Sequence, residues 1–201
     1  MSRLLEIFRR EKKILWQQLC KELEADFVPG KGFFQKDAIK AYHGNWTIII
    51  DTYKRGKRPT ITRIRAPYVN RDSFQFRIFR KRVDSGINKL LGMQDLEVGY
   101  KEFDDEFIIQ GNDQRKLKML FSHQRIREII SLQPEIYLES ETDQSWLHNP
   151  LGEGISELKF QVKGIITNLD RLHDLYDLFA DLLNHLCHIG SAYEDDPKLS
   201  A

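Results

Sequence analysis

The chain has 201 residues, of which 41% are hydrophobic and 30% are charged, and this composition predicts one soluble domain with a substantial core. Its 31 basic and 30 acidic residues give a formal net charge of +1, which excludes an overall electrostatic attraction to nucleic acid or to an anionic membrane. The sequence contains no run of ~20 apolar residues that would predict a membrane span, and its charged N-terminus is unlike a signal peptide. We therefore expect a cytoplasmic protein in which Cys20 and Cys187 are free thiols.

The first 80 residues predict one helix followed by strands. Between residues 3 and 24, apolar side chains recur at steps of three and four with charges between them, which is typical of an amphipathic helix. The PGKG segment at 29–32 is expected to end this helix. Segments 46–53, 60–68 and 74–80 are rich in β-branched and aromatic residues and are joined by short polar turns. They predict three strands of an antiparallel meander.

Three consecutive acids lie between two phenylalanines in the segment FDDEF. A period-two interpretation makes this segment a strand that buries Phe103 and Phe107 and places Asp104 and Glu106 on a solvated face. Adjacent strand residues point in opposite directions, so this interpretation argues against convergence of the three acids on one metal ion. We expect the acids to make only small contributions to stability.

Two short helices are predicted after the strand, which Gly111 is expected to end. Asn112 or Asp113 is a natural N-cap for the first helix, since its side-chain oxygen can accept from an unpaired amide of the first turn. Ser122 is expected to cap the second helix, because the apolar spacing restarts there out of phase. The residues predicted to be buried by the two helices are Leu117, Leu120, Phe121, Ile126, Ile129 and Ile130.

The C-terminal third predicts a hairpin and a closing helix. The strands EIYLESE and ELKFQVKGI flank a polar connection at 142–156, which is long for a hairpin tip. From Asn168, a good N-cap, leucines and aromatic residues form one stripe of a helix. The tail from 191 to 201 is polar and is expected to fray. Near the pole opposite the apolar stripe lie four aspartates, Asp170, Asp174, Asp177 and Asp181.

These elements carry one resemblance. The run LEVGYKEFDDEFIIQGNDQRKLKMLF, followed by a helix, a strand pair and a Leu/Asp helix, resembles a recurrent bacterial α+β domain family of uncharacterised function over about residues 44–188. The resemblance implies a soluble bacterial domain, and it carries over no catalytic residue. Some relatives carry membrane helices ahead of the domain, where this chain has an amphipathic helix. The positions that match the family's Phe-Asp-x-x-Phe strand, small residue, capping acid and Leu-rich helix are Phe103, Asp104, Phe107, Gly111, Asp113 and Leu117.

The sequence contains none of the common catalytic signatures. It has no Walker A loop, GxGxxG run or GxSxG elbow, and neither cysteine has the His and Asn pattern of a thiol hydrolase. Asp181, His185 and His188 lie at helical spacings of four and three, which would suit zinc. That helix face is also the polar one, so a solvated surface is the simpler interpretation. We therefore predict no catalysis, no cofactor and no bound metal.

A basic cluster extends from residue 54 to residue 82 and is interleaved with aromatic residues. Such a composition occurs on nucleic-acid surfaces, on faces that dock acidic proteins and on plain solvated strands. We expect a contiguous positive face, which could also pair with the aspartates of the last helix in a second copy. The residues that we predict to bind are Arg58, Arg63, Arg65, Arg77 and Arg80, together with Trp146 in the long connection, which would anchor a partner or fold back onto the core.

The elements together predict an α+β protein. Five to seven antiparallel strands are expected, covered mainly on one face by N-terminal, central and C-terminal helices. The chain is interpreted as a single domain over 1–201, with an N-terminal helix at 1–28, a sheet with inserted helices at 40–166, a closing helix at 167–190 and a polar tail at 191–201. The predicted function is a protein-interaction or accessory domain in a bacterial cytoplasm. The alternatives are a carrier of small apolar ligands, with a pocket between sheet and last helix, and a nucleic-acid binder.

Overall fold

The computed structural model describes residues 2–30, 37–54, 56, 58–81, 94–141 and 154–194. Over these ranges the chain forms one antiparallel sheet of ten strands, in the order β1-β2-β3-β4-β9-β8-β5-β7-β6, with β10 paired to β4. The strands are β1 (Asp26–Val28), β2 (Ala38–His43), β3 (Trp46–Tyr53), β4 (Ile61–Asn70), β5 (Phe76–Arg80), β6 (Gln94–Asp95), β7 (Phe107–Gly111), β8 (Tyr137–Glu141), β9 (Ile155–Lys163) and β10 (Ala192–Tyr193).

The predicted α+β class is confirmed, and the sheet has more strands than the five to seven expected. Three of the strands, β1, β6 and β10, are only two or three residues long. Segments this short carry too little alternation to be recognised in a sequence. Strand β1 corrects the N-terminal helix predicted over 1–28, which ends at Glu22, and β10 corrects the tail predicted to fray from residue 191.

The helices cover one face of the sheet, as predicted. Their inward side chains join those of the strands in a single hydrophobic core. Helix α5 closes this layer, and its N-cap is the predicted one, since the Asn168 side chain accepts from the Arg171 amide at 2.6 Å. The helices are α1 (Ser2–Glu22), α2 (Lys101–Glu106), α3 (Gln114–Leu120), α4 (Gln124–Leu132) and α5 (Leu169–His188).

The strand order corrects the predicted meander. Strands β2, β3 and β4 are sequential neighbours, but β5 does not pair with β4. The hairpin of β8 and β9, which the sequence predicted, lies between them instead. Since turn residues and alternation do not encode which distant strand becomes a neighbour, this insertion had no local signal.

The acidic segment is the clearest error among the sequence predictions. Lys101–Glu106 is a helix, and only the part from Phe107 is a strand. The Asp104 carboxylate lies back over the preceding turn and accepts from the backbone amides of residues 98, 99 and 100 at 2.9, 2.9 and 3.0 Å. Both phenylalanines are buried as predicted, since Phe103 and Phe107 come one helical turn apart.

The caps of the next two helices were predicted with mixed success. Asp113 caps α3 as expected, since its side chain accepts from the Lys116 amide at 3.0 Å. Ser122 does not cap α4, because its hydroxyl donates to the Met119 carbonyl at 2.7 Å. The N-cap position of α4 is His123, whose side chain makes no capping hydrogen bond.

We expect Asp104→Ala to lower the free energy of unfolding by about 1 to 3 kcal/mol, because three backbone amides would lose a charged acceptor. The midpoint of urea unfolding measures this loss. Asp105→Ala is the matched control, since the Asp105 side chain is 65% exposed and contacts only the exposed Lys101 among the described residues. Equal midpoints for the two variants would contradict the capping role of Asp104.

Candidate functional site

The face of the sheet that points away from the helices carries most of the predicted binding residues. Strand alternation places large apolar side chains in the core and charged ones on this outer face. One row of paired residues crosses the sheet from β2 to β7 and contains mostly charged side chains. In strand order this row is Lys40, Ile49, Arg65, Lys159, Glu139, Arg77 and Gln110.

On the side of the sheet nearer β2, two arginines share carboxylate partners. Arg63 binds Asp51 with two hydrogen bonds, Nε–Oδ1 at 3.0 Å and Nη2–Oδ2 at 2.7 Å, and its guanidinium lies over the Tyr53 ring. Arg65 lies 3.6 Å from Asp51 and 3.7 Å from Glu157. Burial raises the pKa of Glu157, although the charge of Arg65 acts in the opposite direction. The side chains of Arg63 and Arg65 remain 26% and 33% exposed, so both guanidinium groups can still be contacted.

Toward β5 the same face is more buried. Glu139, whose side chain is 5% exposed, accepts from Arg77 at 2.8 Å, from the Tyr137 hydroxyl at 2.9 Å and from Lys159 at 2.9 Å. Lys159 also pairs with Glu141. We call Arg77, Glu139, Lys159 and Glu141 the ion-pair ladder. Only 12% of the Arg77 side chain is exposed, so this arginine pairs within the ladder and offers little surface to a partner.

Arg80 does not lie on the outer face. It has the same strand parity as Phe76 and Ile78, which point into the core. Its guanidinium donates to the carbonyls of Ser131 and Gln133 at 2.9 and 2.7 Å, which places it at the C-terminal end of α4. It also pairs with Glu106. The prediction that Arg80 belongs to one contiguous positive face is therefore wrong.

Of the remaining predicted residues, Arg58 is exposed in the turn before β4. Trp146 and three further cations of the basic cluster, at positions 55, 57 and 82, lie outside the described residues. Two exposed lysines that the sequence interpretation missed, Lys40 and Lys163, lie on the same outer face, and both could have been found from the alternation of their strands. We define the outer patch as Arg58, Arg63, Arg65, Lys40 and Lys163.

The outer patch carries an excess of positive charge. Its five cations have two ion-paired carboxylates among the described residues, Asp51 and Glu157, and Asp26 lies opposite Lys40 on β1, which leaves a local charge of +2. Arg58, Lys40 and Lys163 have no ion-pair partner within the described ranges. Two residues after Lys40 on β2, Tyr42 is 50% exposed and its hydroxyl donates to Asp26 at 2.7 Å. Such a surface combines cationic and aromatic groups on the outer face of strands β2, β4 and β9.

The space between sheet and last helix is filled by side chains. Trp46, Tyr68, Phe76, Phe160 and Phe179 are each no more than 1% exposed. Surface clefts lie instead in the helical layer, one beside α3 and another between α2 and α4. The contacts therefore give no support to a ligand pocket under α5.

Two of the four aspartates on the polar side of α5 form ion pairs within the chain. Asp177 and Asp181 both contact Arg125 of α4, at 2.6 and 3.4 Å. In the described ranges, no group of three or more His, Cys, Asp or Glu side chains is arranged to hold a metal ion. Over the same ranges the structure contains no helix with the length and apolarity needed to cross a bilayer.

Comparisons with known proteins give one structural likeness. No protein-family model matches the sequence, and no curated protein gives a significant match. The chain is similar to the crystal structure of the mycobacterial trehalose monomycolate transport factor A, TtfA, with a TM-score of 0.52 and 11% sequence identity. The superposition covers 88% of this chain and 94% of that one. At this identity the likeness concerns the fold.

Proposed function

We propose that this chain is a non-enzymatic accessory domain of the bacterial cytoplasm that binds an acidic segment of a partner protein on its outer patch. The observation that carries this proposal is the local charge of +2, with three exposed cations that form no ion pair among the described residues. Of the two paired arginines, Arg63 is held by two hydrogen bonds to Asp51, so little of its side-chain freedom is lost when a partner contacts it.

An accessory role agrees with the fold, which is similar to that of a protein named a transport factor. It also agrees with the sequence, which contains no nucleophile–base signature. Self-association through the aspartates of α5 is less well supported, because Arg125 of the same chain already contacts two of them. The filled space under α5 removes the support for an apolar-ligand carrier.

The proposal is tested with the full chain and three labelled probes of equal length: a glutamate-rich peptide, a neutral peptide and a single-stranded oligonucleotide. Fluorescence anisotropy should show binding of the acidic peptide, weakening as salt is raised. We expect Lys40→Glu combined with Lys163→Glu to weaken that binding at least about 10-fold, because two attractive contacts become repulsive.

The control variant combines Lys21→Glu with Lys118→Glu, two exposed lysines of the helical layer. It changes the net charge by the same amount but leaves the outer patch intact. Equal losses in both variants would reduce the effect to net charge and contradict the proposed site. Tighter binding of the oligonucleotide than of the acidic peptide would favour a nucleic-acid binder instead, and concentration-dependent sedimentation without any probe would favour self-association.

A further inference from the structure

Three of the six histidines meet where α3, α4 and α5 converge. His123 immediately precedes α4, and His185 and His188 lie in the last turn of α5. The ring centroids of His123 and His185 are 5.2 Å apart, and those of His185 and His188 are 5.3 Å apart with planes only 16° from parallel. We call these three residues the histidine stack. Their side chains form one continuous contact between helices that are distant in sequence.

The histidine stack connects the end of α5 to the α3–α4 corner, which is the segment at 121–123 between these two helices. The Nε2 atom of His185 lies 2.9 Å from the Met119 carbonyl, which also accepts from the Ser122 hydroxyl at 2.7 Å. A neutral His185 with its proton on Nε2 can donate to this carbonyl. His123 supplies the third contact, and its Nδ1 atom is buried without a hydrogen-bond partner. The corner and the helix end are therefore joined through imidazole rings.

The charged groups around the stack do little to neutralise a protonated ring. On α5, Asp181 and Asp177 are the nearest acids, one and two turns before His185, and both contact Arg125 of α4. On α3, the side chains that flank Met119 and face solvent include Arg115 and Lys118, which are cations. A second proton on the stack would therefore add positive charge to a region that is already basic.

The C-terminal end of α5 carries a partial negative charge, which lies close to the ring of His185. Beyond α5, Glu194 acts on the Cys187 thiol, whose pKa is raised by burial and by that carboxylate. Like charges about 5 Å apart in a half-buried contact repel, so the three rings cannot all be protonated without a cost.

We propose that the histidine stack is a proton-sensitive contact, which holds the α3–α4 corner against α5 at neutral pH and loosens it in mildly acidic solution. The inference is independent of the outer patch, which lies on the opposite face of the sheet.

The titration of the central ring, His185, supports this proposal. Burial lowers the pKa of His185, and the neighbouring His123 and His188 rings lower it further, which together outweigh the opposite effect of the hydrogen bond to the Met119 carbonyl. Because this pKa is lower in the folded chain than in the unfolded one, the unfolded chain binds more protons in mild acid. The contribution of His185 to stability is thus complete above about pH 6.5 and is lost as the pH falls through the lowered value.

The test compares thermal unfolding of the wild-type chain, His185→Gln and the control His43→Gln at pH 7.5 and 5.5. His43 stacks on Trp46, and its Nε2 atom lies 3.0 Å from the Nδ2 atom of Asn184 on α5, so this control removes a histidine that contacts the same helix but is not part of the histidine stack. We expect the melting temperature of the wild type and of His43→Gln to fall with acidification by about 3 to 5 °C more than that of His185→Gln. Hydrogen exchange, corrected for intrinsic rates, should show the loss of protection at residues 119–124.

A second variant keeps the test decisive if His185→Gln does not fold. His188→Gln removes one neighbouring charge, so the NMR titration of His185 should move to higher pH. An unchanged His185 titration in this variant, or the same acid-induced fall in His185→Gln as in the wild type, would overturn the inference. A zinc-dependent rise in melting temperature that His185→Gln abolishes would also overturn it, because the stack would then be a metal site.

Discussion

Glu139→Ala is expected to lower the free energy of unfolding by about 3 kcal/mol or more, since it leaves two buried cations without their shared carboxylate. Glu139 is the centre of the outer-face ladder and accepts from Arg77, Lys159 and Tyr137. The Arg77 and Lys159 side chains are 12% and 14% exposed, so water cannot fully replace the lost partner. Lys159 keeps Glu141, which places the expected loss at the lower end of the range for buried pairs.

Glu141→Ala is the matched control for this prediction. It removes a carboxylate from the same strand and the same lysine, but the Glu141 side chain is 46% exposed. We expect a loss of less than about 1 kcal/mol, as is usual for exposed pairs. Urea unfolding measures both values. Similar small losses for the two glutamates would show that water reaches the whole ladder.

The Glu139 carboxylate should also affect how the free energy of unfolding depends on pH in acidic solution. Burial opposes its ionisation, but the hydrogen bonds from Lys159 and Tyr137 and the charge of Arg77 outweigh burial and lower its pKa. A carboxyl whose pKa is lowered by folding contributes stability that is complete above its unfolded value and is lost as the pH falls through the lowered value. The stability of Glu139→Ala should therefore depend less on pH below about 4.5 than that of the wild type.

The parts of the fold that could be predicted from the sequence are those with long, clear periodicity. Strand β9 alternates through nine residues and α5 keeps one apolar stripe through 20, and both lie where the sequence indicates. The FDDEF segment was predicted wrongly because the spacing of four residues between Phe103 and Phe107 fits one face of a helix as well as one face of a strand. The deciding interaction is the cap by Asp104 on three earlier amides, which no periodicity encodes.

The sequence predicted which residues lie on the outer face better than it predicted their ion-pair partners. Alternation placed Arg63, Arg65 and Arg77 on the solvent side, where the structure has them. Their partners come from strands that the sequence could not assign as neighbours, because the β8–β9 hairpin lies between β4 and β5. When the neighbouring strands are unknown, arginines that are paired with carboxylates cannot be distinguished in the sequence from arginines that are unpaired. The contacts of Arg80 with α4 were missed for the same reason, since they join elements that are about 50 residues apart.

Phe107 is the residue at which the acidic segment, the sheet and the helical layer meet. It is 2% exposed, its ring centroid lies 4.8 Å from that of Phe103, and the Arg80 guanidinium lies 4.8 Å above its ring. Phe103 in turn packs on Phe121 at 5.6 Å, and Phe121 contacts Phe76 of β5 at 6.0 Å. These four phenylalanines form one aromatic cluster that joins α2, β7, β5 and the end of α3.

Phe107→Ala should lower the free energy of unfolding by about 3 to 5 kcal/mol, because it removes a buried ring and leaves a cavity against three rigid elements. The melting temperature should fall by about 10 °C, given about 2 to 4 °C per kcal/mol for a chain of this size. Leu132→Ala is the control, since Leu132 is 68% exposed at the end of α4 and its truncation should change stability by no more than about 0.5 kcal/mol. A loss of less than about 1 kcal/mol for Phe107→Ala would mean that the cluster can collapse around the vacancy, and the rigid junction between α2 and β7 inferred from these contacts would be wrong.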